Sequence, residues 1–229
     1  MHRYRLLGLL LLMTACASKT PQERDQDHLN FNAKTDLIEA CNVGSAFTQV
    51  KGSLWIKIKT QKEEMQFPAT VQVFGTRLAL EVTNLIGGQE ATIQITGDQY
   101  EVKSPSRPSL NQKGQGSWNG IPVAWAVGAF LGRPPCLSVE ALTASQVEGQ
   151  SEGALLKVSS KNFIYKFRDW SGKKWIKGLS VQEQDKSSTK SNLEFEFERP
   201  DVVHGAPWVW RITSSEGELR VRWKDRELQ

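Results

Sequence analysis

Hydrophobic and polar residues alternate along most of this chain. Leu54, Ile56 and Ile58 alternate with Trp55 and Lys57, and the same period of two returns in ten further segments. These segments lie at 71–73, 78–82, 93–95, 100–102, 155 onward, 163–167, 175–181, 193–197, 208–212 and 219–223. A period of two is typical of half-buried strands joined by hairpins. The sequence therefore predicts about eleven antiparallel strands.

Three segments depart from this alternation. Residues 37–41 carry apolar side chains at helical spacing, and the following residues 42–44 are typical of a helix end. This pattern predicts a short N-terminal helix. Residues 104–120 are rich in Pro, Ser, Gly, Asn and Gln and are predicted as a loop. Residues 121–131 are apolar and alanine-rich and end at Gly132, which predicts a short helix with few polar positions. Such a helix must be covered by protein.

A sheet of this size can enclose a cavity instead of a solid core. We expect a mainly β (α+β) fold: an incomplete, strongly curved antiparallel β-barrel of about eleven strands around an apolar cavity, with an N-terminal helix and a lid helix at 121–131. The candidate cavity and lid residues are Leu54, Ile56, Val73, Leu80, Val82, Ile93, Trp125, Phe130, Phe163, Phe195, Trp208 and Trp210. Any of them could instead belong to a filled core. Tyr165 is left out because its hydroxyl would need a partner inside an apolar cavity.

The N-terminus indicates export and lipid attachment. Arg3 and Arg5 precede an apolar stretch at 6–13 that is too short to span a bilayer, as in a secretory signal peptide. Residues 12–16 (LMTAC) resemble the lipobox of bacterial lipoproteins, which implies cleavage before Cys16 and acylation of that residue. The alternative is an ordinary signal peptide with an incidental cysteine.

The expected organisation follows from this cleavage. It consists of a signal peptide at 1–15, a lipidated N-terminus and flexible polar stalk at 16–30, and one domain at 31–229. Two or more acyl chains would make the anchor effectively permanent. Ala17 after the cysteine fits an outer-membrane destination, with the domain facing the periplasm.

Composition and charge exclude some kinds of binding partner and some classes of protein. The chain has 229 residues, 39% of them hydrophobic, with 29 basic and 25 acidic side chains scattered in both signs. A nucleic-acid binder would need clustered cations, so we expect no nucleic-acid partner. No apolar run reaches about 18 residues, which excludes a multi-span membrane protein.

Two further cysteines, Cys41 and Cys136, would share an oxidising compartment. They could form a disulfide or remain two buried free thiols.

Residues that would support catalysis or metal binding are scarce. After signal removal the histidines are His28, in the stalk, and His204. The sequence lacks Cys-x-x-Cys, His-x-x-x-His, EF-hand and Gly-rich nucleotide motifs. It matches Gly-x-Ser-x-Gly once, at 149–153 (GQSEG), with His204 as the one histidine of the predicted domain. The acidic residues at 194, 196 and 198 alternate with phenylalanines, as on a solvated strand face. We therefore expect no enzyme activity, no cofactor and no metal site.

The last strand carries a basic stripe. Arg220, Arg222 and Lys224 alternate with apolar residues, and Arg226 lies beyond them. The stripe could contact anionic lipid head groups, or it could be the solvent-exposed face of a terminal strand.

Short motifs resemble the LolA–LolB superfamily, and within it the outer-membrane lipoprotein receptors. LEVTNLIGG at 80–88 resembles that family's strand and Thr-Asn-Pro-Leu-Gly hairpin, with Leu85 where proline usually stands. GIPV at 120–123 and FLG at 130–132 resemble the motifs that bracket its lid helix. The end of the chain, at 210–223, is similar to its last hairpin.

The resemblance implies a receptor that binds and transfers lipid chains and catalyses no reaction. Acyl chains of lipoproteins would pass from a periplasmic LolA-like carrier into the cavity and then into outer membrane lipid, with the protein acting as a monomer. Ile86, beside Leu85, corresponds to the exposed loop leucine that the family needs for membrane insertion. Alternatively, this hairpin tip folds back on the sheet edge. A second possible function is an envelope-assembly or structural module of the same fold with no acyl cargo.

Overall fold

The computed structural model describes most of the predicted domain. The described ranges are 32–43, 46–118, 121–183, 193–215 and 217–229. The predicted signal peptide, Cys16 and the stalk lie outside the described residues.

The described residues form one open antiparallel sheet of thirteen strands. Its strands are β1 (Gln49–Thr60), β2 (Glu64–Phe74), β3 (Arg77–Thr83), β4 (Gln89–Thr96), β5 (Gln99–Lys103), β6 (Gln112–Gln115), β9 (Val147–Gln150), β10 (Gly153–Val158), β11 (Lys161–Trp170), β12 (Lys173–Glu183), β13 (Leu193–Pro200), β14 (Pro207–Ser214) and β15 (Gly217–Leu228). Their order across the sheet is β6-β5-β4-β3-β2-β1-β15-β14-β13-β12-β11-β10-β9. The short strands β7 (Ser117–Trp118) and β8 (Ile121–Pro122) pair separately.

The eleven predicted segments are all strands, but the count of about eleven is too low. The additional members of the large sheet are its two edge strands, β6 (QKGQ) and β9 (VEGQ). Both are short and polar and carry a glycine, so neither shows the alternation of a buried face. The predicted loop at 104–120 was wrong in part, since it contains β6, β7 and a 3-10 turn at Pro108–Leu110.

Three α-helices in the described ranges accompany the sheet. They are α1 (32–41), α2 (Val123–Phe130) and α3 (Val139–Ala144). The lid helix was predicted from 121, but it begins after Pro122 because Ile121–Pro122 pairs as β8. Helix α3 was not predicted; its first turn is capped by the Ser138 hydroxyl, which accepts from the Ala141 N–H at 3.2 Å.

The helices and the inner face of the sheet share one hydrophobic core. Leu37 and Ala40 of α1 are fully buried, and so are Leu54 of β1 and Leu156 of β10, which lie on opposite halves of the sheet. Because one cluster joins both halves, the sheet folds around the helices.

A disulfide links α1 to the chain that follows α2. It joins Cys41 to Cys136, whose Cα atoms are 5.9 Å apart. The Tyr165 hydroxyl donates to the Pro135 carbonyl at 3.3 Å, and the Arg133 guanidinium donates to the Phe47 carbonyl. The C-terminal flank of α2 is therefore fastened to α1, β11 and the start of β1.

Antiparallel pairing gives the sheet two rims. The tip rim holds the ends of β1, β3, β10 and β14, and the base rim holds the ends of β2, β4, β11 and β13. Helix α1 runs from one to the other. Near its start, Lys34 Nζ donates to the Thr143 carbonyl just before β9, at the tip rim. Near its end, Glu39 pairs with Lys173 at 3.4 Å, at the base rim.

Candidate functional site

The loop between β3 and β4 presents two apolar side chains to solvent at the tip rim. Leu85 is 78% exposed and Ile86 is 94% exposed. The tip therefore does not fold back on the sheet edge. Exposed aliphatic side chains of this size are normal when single, but an adjacent pair at a hairpin tip forms a local apolar contact surface.

Asn84 holds this tip in shape. Its Oδ1 accepts from the backbone N–H groups of Ile86 at 3.1 Å and Gly88 at 2.7 Å, and its own N–H donates to the Gly88 carbonyl at 2.8 Å. Its Nδ2 donates to Glu90, which also accepts from the Ser106 hydroxyl; the hydrogen bonds from Ser106 and Asn84 lower the pKa of Glu90. An Asx turn of this kind fixes the loop before it meets a partner.

Replacement of Asn84 by alanine should loosen the tip without unfolding the domain. The change removes two hydrogen bonds to loop N–H groups in a partly exposed site, so we expect a loss of about 1 kcal/mol in unfolding free energy. Amide exchange at Ile86 and Gly88 should accelerate, while exchange in β1 stays as it was. Unaltered exchange at both loop amides would show that Asn84 does not order the tip.

Helix α2 lies on the inner face of the sheet through two aromatic side chains. The Trp125 ring packs edge-on against Phe163 at 6.4 Å and Phe195 at 5.6 Å between ring centres. The Phe130 ring packs edge-on against Trp210 at 5.1 Å. These contacts bring together five of the predicted cavity and lid residues, from β11, β13, β14 and α2.

The predicted cavity residues are packed in this conformation. Nine are buried, while Ile93, Trp125 and Trp208 are half-buried. The nine are Leu54, Ile56, Val73, Leu80, Val82, Phe130, Phe163, Phe195 and Trp210. A cavity between α1, the chain after α2 and the sheet measures about 10 Å³, which is room for a single water at most. Beneath α2, the Trp125 and Phe130 rings fill the space against β11, β13 and β14.

The sequence analysis did not place Tyr165 and Arg226 on the inner face, where the structure has them. Tyr165 is fully buried. The sequence analysis left it out of the cavity because its hydroxyl would need a hydrogen-bond partner, and the Pro135 carbonyl is that partner. Burial raises the pKa of Tyr165 above its usual value. Arg226 was placed beyond the outer basic stripe, but β15 has a bulge at Lys224, which turns Arg226 inward opposite Gly52. A Cβ at Gly52 would collide with the Asp225 carbonyl, so this close approach requires glycine.

Arg226 is a buried cation at the base rim. Its side chain is 2% exposed, and its guanidinium lies over the Trp208 ring at 4.2 Å. It donates to the carbonyls of Pro207 at 2.6 Å and Ala206 at 2.8 Å. Burial lowers the pKa of Arg226 to about 10, although Asp201, 3.8 Å away, opposes that shift.

The outer face of the sheet is polar. A groove of about 700 Å³ crosses β15, β1, β2, β3 and β4, and its lining combines polar residues such as Lys51, Thr70, Gln72, Glu81 and Gln94 with the apolar Val71, Leu80 and Ile93. The lining is therefore mixed, and it includes two of the predicted cavity residues, Leu80 and Ile93.

The basic stripe lies on the same outer face and is partly neutralised. Arg220 pairs with Glu198 at 3.5 Å, whereas Arg222 is exposed. This ion pair favours a solvated strand face over a head-group site.

Metal-ligating clusters and spanning helices are both missing from the described ranges. No group of three His, Cys, Asp or Glu side chains there is arranged to hold a metal. No described helix is long and apolar enough to cross a membrane.

Solved structures of similar shape have very different sequences. A DUF1329 family protein from Desulfovibrio piger gives a TM-score of 0.53 at 7% identity, covering 87% of this chain and 93% of the other. A domain described as an outer membrane lipoprotein-sorting protein, from Vibrio parahaemolyticus, gives 0.50 at 7% identity, with the same coverage of 87% and 93%. A LolA superfamily protein from Nitrosomonas europaea gives 0.49 at 12% identity, covering 86% of this chain and 93% of the other.

No family model and no curated protein matches the sequence itself. At these identities the similarity concerns the fold alone. This chain is therefore similar in fold to these solved structures, and the similarity does not assign it a role.

Proposed function

We propose that this protein is a lipid-anchored receptor of the outer membrane, facing the periplasm. It accepts the acyl chains of lipoproteins beneath α2 and passes them into the membrane. The anchor is Cys16, the donor is a LolA-like periplasmic carrier, and the insertion surface is the tip formed by Leu85 and Ile86. The function requires no catalysis, cofactor or metal.

The observation that carries the proposal is the position of α2. An apolar helix lies on the inner face of an open sheet and contacts it through Trp125 and Phe130. Apolar side chains facing it could bind an alkyl chain in place of the helix, at roughly 0.8 kcal/mol for each methylene removed from water. The C-terminal flank of α2 is fastened by the disulfide, so opening would start at its N-terminal end, which follows the short pair of β7 and β8.

The tip and the start of the domain lie at the same rim. Helix α1 begins near Thr143, at the tip rim, where Leu85 and Ile86 are exposed. A chain anchored through Cys16 would enter the domain on that side. This arrangement supports a membrane contact by the tip.

The packed interior favours a second candidate. Nine predicted cavity residues belong to a continuous core, as expected for a structural or envelope-assembly module without acyl cargo. In that case α2 is a permanent core helix and does not open.

Uptake of a fluorescent fatty acid distinguishes the two candidates. The full chain carrying Cys16→Ser has no acyl group of its own and should bind about one probe per molecule, in competition with palmitate. Phe163→Glu should abolish uptake, whereas Thr70→Glu on the outer face should not. A folded Cys16→Ser chain that takes up no probe and carries no co-purified lipid would favour the module without cargo.

A further inference from the structure

Three buried N–H donors on the inner face lack a hydrogen-bond partner among the described residues. They are Trp210 Nε1, Trp223 Nε1 and Arg226 Nε. Trp210 is 1% exposed and Trp223 is 4% exposed, and the Arg226 side chain is 2% exposed. Water therefore does not reach them from the surface in this conformation.

The three donors lie on neighbouring strands under the end of the lid helix. Trp210 of β14 pairs with Val221 of β15, two residues before Trp223. The Phe130 ring is 5.1 Å from the Trp210 ring and 6.2 Å from the Trp223 ring, edge-on to both. The Arg226 guanidinium is 5.8 Å from the Trp223 ring centre. Phe130 thus covers a wall that carries N–H groups as well as aromatic surface.

Buried donors in native proteins are nearly always paired, and exceptions call for a reason. The same fold pairs another buried indole: Trp175 Nε1 donates to the Gly205 carbonyl at 2.7 Å. Three unpaired donors on one wall share a single requirement, an acceptor oxygen. The guanidinium charge adds a preference for an oxygen with negative charge or strong dipole.

We propose that Trp210, Trp223 and Arg226 form a polar subsite for the head of an acyl ligand, exposed when Phe130 withdraws with α2. The ligand oxygens belong to a carboxylate or to an ester or amide carbonyl, and the indole and guanidinium N–H groups donate to them. The alkyl chain extends along the inner face toward Phe195 and Phe163. The proposal rests on the proposed function and adds where the head group lies.

The test compares two ligands of equal chain length in the full Cys16→Ser chain. Palmitate offers acceptor oxygens, whereas hexadecylamine offers only donors. The indole N–H signals of Trp210 and Trp223, assigned by their loss in Trp210→Phe and Trp223→Phe, should move with palmitate and not with hexadecylamine. The double variant should lose about tenfold in palmitate affinity, with hexadecylamine affinity unchanged. Trp55→Phe, on the outer face of β1, is the matched control.

A third ligand, a triacylated cysteine peptide, identifies the source of the oxygens. Movement of the two indole signals with this peptide points to a lipoprotein, and movement with palmitate alone points to a free fatty acid; either result supports the subsite. Binding of palmitate and hexadecylamine with neither indole signal moving, or with equal losses in the double variant, would overturn the subsite and leave the proposed function standing. If none of the three ligands binds, both fail.

Discussion

Ile86→Glu is expected to stop delivery of lipoproteins to membranes while leaving the domain folded. Ile86 is 94% exposed, so the substitution removes no packing and should change the unfolding free energy by less than about 0.5 kcal/mol. Burying an isoleucine in a bilayer surface is worth about 1.5–3 kcal/mol, and a carboxylate in its place opposes insertion. Since about 1.4 kcal/mol corresponds to a factor of ten, delivery should fall roughly ten- to hundredfold.

The measurement is transfer of a labelled lipoprotein from a soluble carrier to vesicles. Val202→Glu is the matched control, because Val202 is equally aliphatic and 87% exposed but lies in the β13–β14 loop at the base rim. Acyl uptake should be normal in both variants. Delivery by Ile86→Glu at the unmodified rate, or an equal loss in Val202→Glu, would remove the tip from the mechanism.

Loss of the disulfide is expected to produce the largest fall in stability. The bridge spans 95 residues between Cys41 and Cys136. In the chain-entropy model a loop of this length stabilises the folded state by about 4–5 kcal/mol. The effect should be visible in denaturant unfolding of the protein with and without reductant. Reduction should also free the C-terminal flank of α2 and raise its amide exchange.

A Cys41→Ser/Cys136→Ser variant provides the control for reduction. Its unfolding midpoint should match that of the reduced protein and should not respond to reductant. Two alkylatable thiols in the unreduced, unmodified protein would contradict the bridge. Equal unfolding midpoints with and without reductant would show that the disulfide does not stabilise the folded state.

Alternation predicted the strands well because it reports burial of one face within a short segment. All eleven predicted segments are strands. The edge strands β6 and β9 pair through backbone groups and bury little, so their side chains carry no such signal. Helix α3 has only six residues, so its sequence shows no clear helical period of hydrophobic residues either.

The candidate site could be predicted only in part. The resemblance of residues 80–88 to a family hairpin predicted an exposed apolar tip, and the structure exposes Leu85 and Ile86. The hydrogen bonds by which Asn84 orders this tip were not predicted. The orientation of Arg226 could not be read from a period of two, because one inserted residue at the β15 bulge reverses the face that follows. The partner of Tyr165 comes from a segment 30 residues away, so only tertiary structure brings the two together.

Photolabelling tests the central claim most directly. A diazirine-bearing fatty acid is bound to the full Cys16→Ser chain and illuminated, and the labelled peptides are identified by mass spectrometry. We predict labels on α2 and on inner-face residues of β11, β13 and β14, all suppressed by excess palmitate. Labels confined to the outer face, or no labelling of folded protein, would contradict an interior that receives acyl chains.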